Sequence, residues 1–506
     1  MKTKEFFLHL LLQSLTVFLI IPSFYKPQLG ILLFVIFIPF YFSLERLVWL
    51  DIAFKKKIRF GFILGYICGI ILFCASFFWL WNLNVWLAIF AIGFSALYVG
   101  FFQLFCIYIK SKQPECPLFI LLPSIWVIFE YLRGNFLMAF GGASLGYGLV
   151  AYKPFIQIAR FLGIYGISFF VLFVNGLFFA AIKKKDKRLV HLNSAILLLG
   201  LIFLDGKTVI AKKMSGYPAI KIAIAQGNLA PEIHASFNDR HIVMDTYGAL
   251  AKEAKDKNAV LIIFPEAVLP ADLFDNRAKD ILDFYKNLSH RLKIYLVTGA
   301  RQKSLRPARQ GLHNSAYLFN PEGRIADIYN KIKLVPLFEE VAFSEFFPFL
   351  KKFHLGKMEF LPGDKFTVFR TEWGKFSTLI CFEVLFPHLA QKFVNNGAEL
   401  LVNISNDIDL GNNLLTHRLN NAMITFRAVE NSRYLVKCNA TGEGFIVDPH
   451  GCILEKIPLG RRGIIISDIF LYSDKTFYNR YGYAFPLLLI IAFVIVLAVW
   501  PARKEY

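Results

Sequence analysis

Long apolar runs dominate the two ends of the chain. Residues 6–22, 28–50, 59–81, 83–109, 117–133, 154–182 and 190–205 are apolar, and 483–500 supplies one more such run. Most are long enough to cross a hydrocarbon core, which takes about 20 helical residues. Between residues 215 and 475 the pattern changes to short alternating runs separated by charged and turn residues, none long enough to span. The pattern predicts a seven-span transmembrane domain over 1–210, a water-exposed domain over 215–475, and a C-terminal transmembrane helix with a short tail over 481–506.

Within the middle part, β-branched runs bounded by Gly, Pro, Asn or Asp predict strands. They are "IKIAIAQGN" (220–228), "AVLIIFPEAVL" (259–269), "IYLVTGA" (294–300), "NSAYLFNP" (314–321), "FSTLICFE" (376–383), "ELLVNISND" (399–407), "RYLVKCNATG" (433–442) and "GFIVDPHGCIL" (444–454). Residues 239–257, 277–291, 386–396 and 414–431 carry apolar residues at helical spacing. Such alternation predicts an α/β domain with its sheets covered by helices. "NPEG" (320–323) and "DPHG" (448–451) are tight-turn signals that predict hairpins.

Composition agrees with a membrane protein, since 56% of the 506 residues are hydrophobic and 16% aromatic. The net charge of +20 would suit a nucleic-acid binder, but much of the excess lies between spans, in "FKKKIR" (54–59) and "KKKDKR" (183–188). Cytoplasmic loops carry such charge by themselves, so no nucleic-acid partner is expected. With a cytoplasmic N-terminus, the basic loops 51–59, 110–116 and 183–189 all fall on the cytoplasmic side, whereas 23–27 and 82–84 together hold only Lys26. Seven crossings then deliver the 215–475 domain outside the cytoplasm, and the last span returns the "ARKEY" tail. The first run lacks a small-x-small cleavage site and reads as an uncleaved span. Seven cysteines show no paired spacing for a metal or a disulfide framework.

Reactive groups of α/β domains gather where strands end. Glu266 follows "LIIFP", Lys331 follows "RIADIYN" and Cys381 follows "STLI". Taken singly, each has a plainer role: Cys381 as a small core residue, Glu266 as a cap, Lys331 as a surface base. Together they hold a nucleophile, a carboxylate whose basicity burial can raise, and an ammonium that can stabilise an oxyanion.

"FPE", "YNK" and "ICFE", in that order after successive strands, resemble the Glu-Lys-Cys triad of the nitrilase or carbon-nitrogen hydrolase superfamily. "LVPLFEE" (334–340) is similar to the segment after the lysine in its membrane-bound branch, the apolipoprotein N-acyltransferases. There a glutamate eight residues after the lysine and another two after the cysteine support the site, and Glu339 and Glu383 stand at those positions. "EYLRG" (130–134), "LGYG" (145–148), "QIARFLGIYGISFFVLFVN" (157–175) and "RAVENSRYLVKCNATG" (427–442) resemble further stretches of that branch, so the likeness covers nearly the whole chain.

The resemblance implies a nitrilase-like αββα sandwich beside a helical membrane domain, in the bacterial inner membrane with the catalytic domain on the periplasmic face. It implies that Glu266 is the base, Cys381 the nucleophile and Lys331 the oxyanion partner. The acyl donor would be a phospholipid and the acceptor the α-amino group of a diacylated apolipoprotein. No metal or other cofactor is implied, and nothing demands more than a monomer. The chain departs from the family at "IDLG" (408–411), where a Trp-Phe-Gly stretch is usual, and at "LAPEIHASF" after "AQGN", where a tryptophan is expected. Phe382 replaces a common tyrosine, and "LFEEVAF" (337–343) replaces a Gly-Glu-Tyr-rich loop. These positions bear on substrate choice. A membrane-tethered amidase, a divergent acyltransferase with another acceptor, and a non-catalytic lipid-binding protein are the competing readings. The Phe- and Lys-rich stretch 338–360 is expected to form a lid or a membrane-surface anchor. Glu130 and Arg133 are expected either to shape a lipid entrance or to anchor the fifth span at the interface.

Overall fold

The apolar runs are helices and the alternating runs are strands in a computed structural model that describes residues 3–136, 140–212, 216–230, 232–233, 238–269, 271–304, 310–341, 349, 352, 354–356, 358–411 and 413–499. The chain forms two compact units: Met1–Lys212 with Asn413–Phe426 and Thr476–Tyr506, and Lys213–Asn412 with Arg427–Lys475.

Among the described residues of the first unit, seven helical segments are long and apolar enough to cross a membrane: Lys4–Tyr25, Pro27–Val48, Phe54–Ser76, Val85–Lys112, Leu118–Asn135, Ala159–Lys183 and Lys185–Ala211. The last apolar run forms a shorter helix, Ala484–Val499. The second segment is not one regular helix. A 3₁₀ stretch, Pro27–Phe34, precedes the α-helix Ile38–Val48. Backbone groups freed at such a break need partners in an apolar medium. Asn175 supplies them, accepting from the Phe37 N–H (2.9 Å) and donating to the Leu33 carbonyl (2.7 Å). The helix over Ala159–Lys183 bends at Gly163, whose φ of 65° lies in the left-handed region that a side chain disfavours.

The second unit holds two six-stranded sheets, in the orders β12-β1-β2-β3-β4-β5 and β11-β10-β9-β8-β7-β6. Their strands are β1 (Ala219–Gln226), β2 (Leu261–Ile263), β3 (Tyr295–Lys303), β4 (Leu312–Phe319), β5 (Ile325–Asn330), β6 (Phe369–Thr371), β7 (Gly374–Ile380), β8 (Leu400–Ser405), β9 (Tyr434–Asn439), β10 (Gly444–Val447), β11 (Ile453–Ile457) and β12 (Gly463–Phe470). Parallel pairing joins β1 to β2 to β3 and β7 to β8 to β9; the other neighbours are antiparallel. β8 and β9 are buried at every position, as central strands covered on both faces should be. On the first sheet, helices Arg240–Asp256 and Lys279–Leu292 bury Val243, Tyr247, Ile281 and Tyr285 against Ile262, Phe264 and Leu296. The two sheets face each other: the Cys438 thiol on β9 donates to the Ala225 and Ile263 carbonyls at 3.4 and 3.1 Å.

Three strand expectations change. The run at 259–269 yields only the three residues of β2. Pro265, lacking an N–H, cannot continue the ladder. The run at 444–454 is two strands, β10 and β11, folded at Asp448, whose carboxylate accepts from the His450 and Cys452 N–H groups. The edge strands β6 and β12 are both unanticipated, and it is β12 that pairs antiparallel along the full length of β1. Its apolar run "GIIISDIF" begins at Gly463 and follows Pro458 and Gly460, so the turn signal before it was readable.

Candidate active site

β2, β5 and β7 end beside one another, and each delivers one of the candidate side chains. After β2, Phe264 and Pro265 lead into a turn that carries Glu266, with Ala267 at a φ of 50°. That turn lies against Gly299 of β3, where a Cβ would sit 2.7 Å from both the Glu266 Cα and the Ala267 nitrogen. Glu266 thus lies where it does because residue 299 has no side chain.

Lys331 follows β5, and its own N–H donates to the Asn314 carbonyl on β4 (2.8 Å). Strand periodicity places Tyr329 and Lys331 on one face, and both are buried. Cys381 follows β7 at a φ of 52°, a strained value for a non-glycine residue, at the start of a 3₁₀ turn over Cys381–Leu385. A sharp reversal of this kind projects a side chain off a strand end.

The side chains converge. The Lys331 ammonium lies 2.9 Å from Glu339 and 3.7 Å from Glu266 Oε1. Asn314 Nδ2 bridges the same carboxylates, donating to Glu266 Oε1 at 2.7 Å and to Glu339 Oε1 at 3.1 Å. Glu266 Oε2 accepts from the Asn406 N–H (3.2 Å), and the Cys381 thiol faces the same carboxyl group. Glu339 is itself held by the Val335 N–H at 2.8 Å. Glu383 lies on the other side of the turn that begins at Cys381. It accepts from the Tyr329 hydroxyl (2.8 Å) and from the N–H groups of Ile332 (2.7 Å), Lys333 (3.0 Å) and Ile380 (2.8 Å). One carboxylate thereby ties the segment after Lys331 to the strand before Cys381.

Electrostatics follow from burial and from an excess of carboxylates. Burial pushes Glu266 above the usual carboxylate range; Lys331 opposes this and Glu339 adds to it. Burial, reinforced by Glu266, holds the Cys381 thiol well above its usual value. For Lys331 burial works against the charge, but Glu339 and Glu266 outweigh it and hold the ammonium above its usual value. Glu383 is pushed up to about 6, chiefly by burial. At neutral pH the cluster therefore contains a fixed cation, a carboxyl group of raised basicity and a thiol that faces it. Such a set can move the thiol proton to Glu266 and leave a thiolate beside a cation.

All five residues singled out from the sequence, Glu266, Lys331, Cys381, Glu339 and Glu383, lie in this arrangement. Asn314, Tyr329 and Asn406 were not anticipated, although a polar residue at an inward position of "NSAYLFNP", as Asn314 is, was a readable signal. The expected lid or anchor over 338–360 falls partly outside the described residues, which omit 342–348, 350, 351, 353 and 357. In the helical unit, Glu130 accepts from the Leu145 N–H (2.7 Å) and Arg133 donates to the Phe140 carbonyl (2.8 Å), so both tie down the loop after their helix. They also border a small pocket lined by Leu72, Phe73, Tyr98 and Trp126.

Comparison with known proteins matches residues 221–473 to the carbon-nitrogen hydrolase family model and residues 17–177 to that of the apolipoprotein N-acyltransferase N-terminal domain. An apolipoprotein N-acyltransferase of Geobacter metallireducens is 29% identical over 96% of this chain and 93% of its own length. An apolipoprotein N-acyltransferase 2 of Treponema denticola is 27% identical over 86% of this chain and 87% of its own. Among solved structures, an amidase from Nesterenkonia sp. is 20% identical with a TM-score of 0.38, over 52% of this chain and 94% of its own. The chain is an integral protein of the bacterial inner membrane, and it belongs to the carbon-nitrogen hydrolase family as an enzyme of the membrane-embedded branch that carries the apolipoprotein N-acyltransferase N-terminal domain.

Proposed function

We propose that this chain moves a fatty acyl group from a phospholipid to the α-amino group of a diacylglyceryl-modified N-terminal cysteine, through a thioester on Cys381. The observation that carries the reading is the clustering of the Cys381 thiol, the Glu266 carboxyl and the Lys331 ammonium in a chain with seven helices long enough to span a membrane. Glu266 takes the thiol proton, and the thiolate attacks the ester carbonyl. Negative charge then builds on the carbonyl oxygen, and the Lys331 ammonium stabilises it. The C–O bond breaks, Glu266 returns the proton to the leaving oxygen, and lysophospholipid departs. In the second half the lipoprotein amine attacks the thioester, Glu266 accepts the amine proton, and the C–S bond breaks to return the protonated thiol and an amide.

Two lipid-anchored substrates favour a reactive domain held at the membrane surface. The distribution of Lys and Arg between loops supports a periplasmic face for it. One chain supplies every side chain of the cluster, which supports a monomer as the working unit.

The test is intact-mass analysis of wild type, Cys381→Ala and Cys381→Ser in phospholipid nanodiscs, followed by addition of a diacylated lipopeptide. A hydroxylamine-sensitive acyl adduct on wild type, discharged onto the lipopeptide amine, is the expected result. Discharge to water alone would mean a hydrolase, and no adduct with any phospholipid would overturn the proposal.

A further inference from the structure

The "SND" stretch, residues 405–407, has no part in the chemistry above, yet β8 turns there directly over the base. Asn406 lends its N–H to Glu266 Oε2, and the next residue, Asp407, is only 5% exposed. Asp407 is clamped from several directions. Lys437 of β9 donates to its Oδ2 at 2.6 Å, the Ser405 hydroxyl donates to its Oδ1, and its own N–H donates to Asn439 Oδ1 at 3.2 Å. The parallel register of β8 and β9 explains the grouping, since Asn403 pairs with Lys437 and Ser405 with Asn439. Lys437 is fully buried, with its ammonium 6.0 Å from the centre of the Phe445 ring.

A buried ion pair of this kind is weak evidence for stability, because packed apolar residues of similar volume commonly serve as well. An apolar pair could do neither of two things seen here. It could not hold the turn that places the Asn406 N–H, and it could not set the field at the nucleophile. Cys381 faces four charged or titratable groups from separate segments: Glu266 after β2, Lys331 after β5, Glu339, and Asp407 after β8. Three of the four are carboxyl groups. Lys331 is already shared between Glu266 and Glu339, and Asp407 is matched by Lys437.

We propose that Asp407 and Lys437 are a positioning pair for the reactive centre, holding the β8 exit turn against Glu266 and cancelling the Asp407 charge that would otherwise oppose thiolate formation at Cys381. This rests on reading Cys381 as the nucleophile. Neither residue touches the reacting atoms; both act through Glu266 and the thiol.

The experiment follows alkylation of Cys381 by iodoacetamide against pH, in full-length protein in nanodiscs without lipopeptide, read at the Cys381 peptide by mass spectrometry. Lys437→Met should raise the midpoint of the profile by about one pH unit and Asp407→Asn should lower it by a similar amount, the scale expected for one nearby charge. The double variant should return close to wild type, and Lys437→Arg should stay close to it. Superimposed profiles, single variants that move in the same direction, or a double variant that does not return would overturn the proposal. If Lys437→Met does not fold, the sign of the Asp407→Asn shift decides alone: downward supports the pair, upward or unchanged overturns it. The labelling needs no acyl transfer, so its result stands whether or not the acyl donor proves to be a phospholipid.

Discussion

Replacing Glu383 isolates the carboxylate that joins the two halves of the site. Three donors converge on its Oε1 and one, the Ile380 N–H, on its Oε2. Glutamine has the same shape with one oxygen, so if its oxygen keeps the three donors its NH₂ must face the Ile380 N–H. That orphaned donor costs about 1–3 kcal/mol. Against this stands the cost of burying the native charge. Glu383 is pushed up from 4.5 to about 6, and at ~1.4 kcal/mol per pH unit the ionised form is disfavoured by about 2 kcal/mol. Because the folded value is raised, the associated stability is full below about 4.5 and is lost as pH rises through about 6. Wild type therefore loses between one and two kcal/mol from about pH 5 to pH 8, and Glu383→Gln does not.

Cys438, fully buried between the sheets, reports opening of the domain. Its labelling by a pyridyl disulfide, as the ratio of variant to wild type at each pH, removes the thiol's own pH dependence. The ratio for Glu383→Gln should lie near unity at pH 8 and about tenfold higher at pH 5, while that for Glu383→Ala, which orphans four donors, should be on the order of a thousandfold at pH 8 and rise by that same factor of about ten towards pH 5. A ratio for glutamine that is flat with pH, or that rises towards pH 8, would refute the reasoning.

Asn314→Ala removes both bridging bonds at Glu266 and Glu339 and should slow acyl-enzyme formation by about 10- to 100-fold, measured by rapid quench and intact mass. Gly299→Ala forces a Cβ to within 2.7 Å of the Glu266 backbone; it should slow acylation at least as much while leaving a mild effect on Cys438 labelling. Since burial holds Glu266 above the usual carboxylate range, the acylation rate should fall on acidification with a midpoint above the ordinary glutamate value of about 4.3, and a lower midpoint would count against Glu266 as the base.

The positions of the three candidate side chains were legible because each follows a strand-like run: Glu266 after "LIIFP", Lys331 after "RIADIYN" and Cys381 after "STLI". What joins them was not. Asn314 reads as one more polar residue on a strand, and its bridge between Glu266 and Glu339 exists only because β4 lies between β3 and β5. Lys437 and Asp407 stand 30 residues apart in sequence and meet through the parallel register of β8 and β9. Asn175 reads as an isolated polar residue in an apolar run; only packing sets it against the broken helix near Leu33 and Phe37.

Hydropathy and period, being local, determined by themselves the helical ends and the α/β middle, while the roles expected of Glu266, Lys331 and Cys381 rested on the resemblance of their motifs to a known family. The tertiary structure decided what those groups can do. Proton affinity depends on desolvation and on charges brought within a few ångströms by strand order, and neither is a property of any short stretch of chain.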